Sequence, residues 1–170
     1  MLSFKLTASI FICFLLTGCG FSPVYVGNKS NIFNSEFRYI KINLIQDRVG
    51  QQLRNELIKR LHPYGRATPV KYNLNATISV SKQGLAIQKS ALATRANIVY
   101  ESTFTLEENI SKTLLTSGRS RTITSYNILD RVYATKVAEK NAQTRAIIEI
   151  SQDITNKISV FFKYPKKVKK

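Results

Sequence analysis

Histidine, cysteine and acidic residues are all scarce in this chain: of 170 residues, one is His, two are Cys, and 10 are Asp or Glu against 26 Lys and Arg. The single histidine, His62, lies beside Pro63 at an expected helix end with no His or Cys partner near it, so it reads as a surface residue and not as a ligand or base. The two carboxylates of "EEN", Glu107 and Glu108, fall in an alternating stretch whose neighbours point to opposite faces, which prevents an acid and base pair. Among the seven glycines there is no phosphate-cradling loop, and no Ser, His, Asp set is visible. Catalytic, metal and dissociable-cofactor classes therefore lack their residues. The expectation is a binding or assembly protein, not an enzyme.

Both cysteines lie in "CFLLTGCGFSPVY", Cys13 to Tyr25. The residues up to Gly18, "MLSFKLTASIFICFLLTG", have one charge, Lys5, then an apolar run from Leu6 to Leu16, then small residues, which is the layout of a secretory signal peptide. A transmembrane anchor is the alternative, because no further charge appears before Lys29. Gly18, Gly20, Ser22 and Pro23 interrupt that span and leave about 11 strongly apolar residues where a crossing helix needs ~20.

"LTGC", Leu16 to Cys19, resembles a bacterial lipobox. That resemblance implies cleavage before Cys19 and a diacylglyceryl group on its sulfur: small Thr17 and Gly18 admit the backbone to the peptidase, and only a thiol gives the thioether. Cys13 would leave with the signal, so the mature chain would hold no disulfide or thiolate metal site. The covalent lipid on Cys19 is the only prosthetic group expected. A mature lipoprotein of this kind usually carries three acyl chains, and two or more hold a protein stably on its membrane. By resemblance to lipoprotein sorting rules, Gly20 after the lipidated Cys favours the outer membrane.

Loss of Lys5 with the signal leaves 25 basic and 10 acidic residues, a formal charge of +15. Such a charge suits anionic partners, and an exported chain meets lipid headgroups and phosphorylated saccharides in place of nucleic acid. The expected organisation is a signal peptide over 1–18, an extended leash over 19–35 ("CGFSPVYVGNKSNIFNS"), a folded domain over 36–164 and a basic tail over 165–170.

Within the domain, "FRYIKINLI" alternates as a strand with Ile40, Ile42 and Leu44 on one face. Asp47 is placed to cap a helix with Val49, Leu53, Leu57 and Leu61 at four-residue steps, ended by "HPYG". In "YNLNATISVS" the even positions from Tyr72 to Val80 are apolar or small and the odd ones polar, which predicts a strand with one buried and one wet face. A bulge is expected after Gly84 and a turn at "SALATR". "ANIVYESTFTLEE" repeats the alternation with Ser102 as an interruption, and "TLLTSGRSRTITSY" is polar enough for an edge strand. A final helix over about 129–162 carries Ile147, Ile150, Ile154, Ile158 and Phe161 on one face, with Tyr133, Val137, Thr144 and Ile148 as a weaker inward set before them. The order β, α, β, β, β, α predicts an α+β two-layer sandwich: two helices on one face of a four-stranded mixed sheet, the other face polar and uncovered.

The chain resembles the LptE family of lipopolysaccharide-assembly lipoproteins in "LTGCGF", in "SPVY" soon after it, and in this element order. The resemblance implies a non-enzymatic plug inside a large β-barrel partner, LptD, that helps to insert lipopolysaccharide into the outer leaflet. A lipoprotein that binds another anionic envelope polymer, or peptidoglycan, without a barrel is the other reading. The candidate phosphate contacts are Lys82, Lys89 and Arg95 along one hairpin and Arg119 and Arg121 in the strand after it, since guanidinium forks donate paired hydrogen bonds to phosphate. The same residues would also serve as solubilising charge on a wet face.

Overall fold

A strand of only three residues opens the domain. A computed structural model describes residues 36–84 and 95–164, and the elements run β1 (Ile40–Ile42), α1 (Asp47–Leu61), β2 (Tyr72–Gly84), β3 (Arg95–Glu108), β4 (Leu114–Asn127) and α2 (Val132–Lys163). The sheet order is β1-β2-β3-β4. β1 runs parallel to β2 through the α1 crossover, and the other two pairings are antiparallel. The expected α+β sandwich is therefore the observed one, with the polar β4 at an edge. The signal segment, the leash with Cys19, Lys89, the bulge after Gly84, the "SALATR" turn and the basic tail lie outside the described residues.

The register shows why the alternation reads as it does. Ala96, Ile98, Tyr100, Ser102, Phe104 and Leu106 of β3 are all buried, and opposite them stand Leu74, Ala76, Ile78 and Val80 of β2. Those residues face α1 and α2, whose Leu53, Leu57, Leu61, Ile147, Ile150, Ile154 and Ile158 complete the core. Each such side chain contributes about 1.5–3 kcal/mol on full burial. Ser102 interrupts the apolar row without cost to its hydroxyl, because Oγ donates to the Thr77 carbonyl at 2.7 Å. An aromatic cluster fastens the end of α2 to the start of the sheet: the Phe162 ring lies 5.2 Å from Tyr72 and 6.0 Å from Phe37, both edge to face.

Four local expectations change. Leu44 is 77% exposed, because β1 ends at Ile42 and the chain turns so that Ile45 takes the inward place. Asp47 does not cap α1. The N-cap is Gln46, with no side-chain cap bond, and Asp47 itself has φ 67°, a left-handed conformation that Asp tolerates better than most residues. Tyr133, Val137, Thr144 and Ile148 are exposed, since they lie on a face of α2 that no described element covers; on the face turned to α1 and the sheet, the small residues Ala142 and Ala146 are the buried ones. His62 is half-buried instead of superficial, with its ring Nε2 2.9 Å from the Ile40 carbonyl.

Candidate functional site

The uncovered side of the sheet is built by the odd-numbered strand residues. Pairing sets Asn75, Thr105 and Ser117 in one row, Thr77, Thr103 and Arg119 in the next, and Ser79, Glu101 and Arg121 after that. Beyond them come Ser81, Val99 and Ile123, then Gln83, Asn97 and Ser125. Side chains tie neighbouring segments together along these rows: Thr77 and Thr103 share a hydroxyl bond of 2.8 Å, Asn43 donates to Asn75 at 2.6 Å, and Ser125 donates to Asn97 at 2.7 Å. Cross-strand bonds of this kind hold the face in one arrangement. Val99 and Ile123 are its apolar exception.

Arg119 and Arg121 stand two apart on this face, ~7 Å along the strand at the usual rise. They are not equivalent. Arg121 Nε donates to Glu101 Oε1 at 2.9 Å, whereas no ion pair engages the Arg119 guanidinium among the described residues. Arg119 instead borders a shallow depression of about 270 Å³ with Thr77, Ser79, Glu101 and Thr103.

The other predicted contacts do not join them. Arg95 is on the same face but pairs with Asn127, while Arg121 pairs with Glu101 six residues along β3, a separation of ~20 Å. Lys82 points to the opposite side of the sheet, because it continues the even set of β2. There it forms an ion pair with Glu139 of α2, which Lys136 approaches at 3.7 Å. The pair lowers the Glu139 pKa and raises that of Lys82, in each case chiefly through their shared hydrogen bond. Lys82 is thus a tie between layers. Lys71, just before β2, is likewise engaged, with Glu36 at 3.4 Å and with the Tyr39 ring 4.1 Å from its Nζ.

Titrating groups elsewhere have structural surroundings. Burial lowers the His62 pKa against the hydrogen bond that its ring Nε2–H donates to the Ile40 carbonyl. Burial pushes Tyr72 up to about 12, helped by Glu36, whose carboxylate accepts its hydroxyl proton at 3.1 Å. Among the described residues no group of three His, Cys, Asp or Glu could hold a metal ion, and no helix is long and apolar enough to cross a membrane.

Sequence reasoning missed the Glu101 partner and a groove beneath the β4 edge, lined by Phe104, Leu115 and Gly118 with Val160, Phe161 and Tyr164 of α2. Strand parity was the available signal for Glu101, and no sequence signal marks the groove. The groove depends on how α2 lies across β4.

Comparison with known proteins places the chain. An uncharacterised protein of Rickettsia prowazekii, RP188, is 25% identical over 153 residues, 90% of this chain and 94% of that protein. Among solved structures, a candidate lipoprotein of Caulobacter crescentus superposes with a TM-score of 0.64 at 22% identity, covering 79% of this chain and 98% of that one. Rare lipoprotein B of Shewanella oneidensis gives 0.55 at 12% identity, covering 72% and 95%. Both share the fold. The model of the LptE family, described as lipopolysaccharide-assembly, matches residues 33–158, which takes in all six elements except the last five residues of α2. The chain belongs to the LptE family of lipopolysaccharide-assembly proteins.

Proposed function

We propose that this protein is an outer-membrane lipoprotein, anchored through lipid on Cys19, that sits with an LptD-type β-barrel and binds lipopolysaccharide during its insertion into the outer leaflet, without catalysis of its own. Family membership supports the process, and one observation supports the mode: the ordered polar face of the sheet, with Arg119 and Arg121 at its open edge. The lumen of a large outer-membrane barrel is polar. A plug needs a wide, fixed polar surface, and the rows bonded through Thr77–Thr103, Asn43–Asn75 and Asn97–Ser125 have that character.

The guanidinium groups of Arg119 and Arg121 are the proposed phosphate contacts, with Lys89 and Arg95 as a second group to be tested beside them. Lys82, committed to Glu139, is left out. Cleavage before Cys19 and the leash over 19–35 belong to the same reading: they would tether the domain and leave its sheet free to dock.

The deciding experiment is tandem purification from native membranes under gentle detergent. Recovery in a one-to-one complex with a large barrel is the expected result. Recovery alone would favour the lipoprotein that acts on another anionic polymer without a barrel. In parallel, Cys19→Ala should leave the chain uncut in the inner membrane.

A further inference from the structure

A groove of about 590 Å³ runs between β4, the edge strand of the sheet, and the C-terminal half of α2. Its size lies in the range of ligand sites, about 300–1,000 Å³. Its inner wall is the Phe104 ring, which lies against the bare backbone of Gly118; a Cβ there would stand 2.7 Å from the ring. Leu115 forms one side and Val160, Phe161 and Tyr164 the other. Val160 is 50% and Tyr164 63% exposed, so an apolar wall faces solvent.

The rim is basic. Arg119 belongs both to this groove and to the depression on the open face, so one side chain stands where the two meet. Lys157 lies beside it, paired with Asp153 at 2.7 Å, and its Nζ also donates to the Arg119 carbonyl at 2.5 Å. That second bond occupies an acceptor an added strand would use, and the register shift at Leu106/Glu107 disturbs the ladder near Leu114. Both features oppose pairing of an extended peptide with β4. A hydrocarbon chain needs no backbone partner. Apolar walls with a cation at one end match a molecule with an apolar tail and an anionic head.

We propose that this groove takes an acyl chain of a phosphate-bearing lipid, with the phosphate at Arg119 and the chain running inward along Val160 and Phe104. The proposal rests on the reading that the protein binds lipopolysaccharide, and it names where the fatty part of that ligand goes. Arg119 would then read the head and the groove the tail.

The test uses the full-length lipoprotein, titrated with intact lipopolysaccharide and with the same lipopolysaccharide stripped of its acyl chains. Val160→Asp, at an exposed helix position, should weaken intact lipopolysaccharide ~10-fold or more by placing a carboxylate in the groove, while the deacylated form binds as before. Arg119→Ala should weaken both. If Val160→Asp binds intact lipopolysaccharide like wild type while Arg119→Ala/Arg121→Ala does not, the groove assignment falls and the functional reading stands. If wild type binds neither form, both fall.

A photoreactive residue at Val160 in native membranes gives an independent readout, with Tyr64, 81% exposed, as the control position. A lipid adduct at residue 160 and none at 64 is expected. A protein adduct alone, or none, at residue 160 would overturn the proposal, the former because a polypeptide covers the groove.

Discussion

Replacement of Glu101 by Gln should strengthen binding of lipopolysaccharide. Glu101 is the direct cross-strand partner of Arg121 and a diagonal neighbour of Arg119. The Arg121 pair is exposed on both sides, 54% and 47%, so it contributes about 0.2–1 kcal/mol, and freeing Arg121 from it is ~1.4–5-fold in affinity. A phosphate held at Arg119 also feels the Glu101 charge from the diagonal distance of ~7–8 Å. In water that repulsion costs about 0.5 kcal/mol before screening. Together the two effects predict a gain of ~2–10-fold for Glu101→Gln at low salt, shrinking as the Debye length falls below ~10 Å. The same geometry ranks the arginines: Arg119→Ala should cost more affinity than Arg121→Ala, because only Arg121 must first leave a carboxylate. Calorimetric titration of the three variants at two salt concentrations checks this. Weaker binding by Glu101→Gln, or a larger loss from Arg121→Ala than from Arg119→Ala, would refute the assignment of phosphate to this edge of the sheet.

Lys82→Met should leave lipopolysaccharide affinity unchanged and lower the unfolding midpoint slightly, since it breaks an ion pair to α2 on the far side of the sheet; a binding defect in a folded variant would contradict its placement. In α1, Gly50→Ala should destabilise by about 1–2 kcal/mol despite a propensity gain of about 1 kcal/mol. Its Cβ would lie 2.6 Å from Ile45 Cγ2 and 3.1 Å from the Ile45 carbonyl, and the penalty in urea titrations should shrink in an Ile45→Ala background, where that methyl is gone. The folded pKa of His62 lies below its ordinary 6.5. The unfolded chain therefore takes up the proton first, so stability is full above about 6.5 and declines as pH falls below it. His62→Gln, which keeps an N–H for the Ile40 carbonyl, should show a flatter melting temperature between pH 7.5 and 5.5, and an unaltered pH profile would exclude His62 as the cause.

The alternation of β2 and β3 was legible because those strands bury one face only, and a period of two survives in the sequence whenever one side stays wet. The C-terminal stripe of α2, Ile147 to Ile158, was legible for the same reason at the helical period. That parity already put Arg95, Arg119 and Arg121 on one side and Lys82 on the other. Grouping Lys82 with them followed its place in the hairpin and ignored its face. The resemblance of "LTGC" to a lipobox is a local signal, complete within four residues.

Register and layer packing decided the rest, because they join residues far apart in the chain. Glu101 meets Arg121 only through the β3–β4 pairing, and Glu139 meets Lys82 only because α2 crosses the sheet where it does. The weak N-terminal face of α2 failed as a guide, since Tyr133, Val137 and Ile148 are apolar with no described element to bury them, and burial requires a surface opposite as well as a pattern. The groove depends on that packing most of all. Gly118, Arg119 and Val160 are unremarkable in sequence, and only the packing of a helix over an edge strand brings Val160 to the other two.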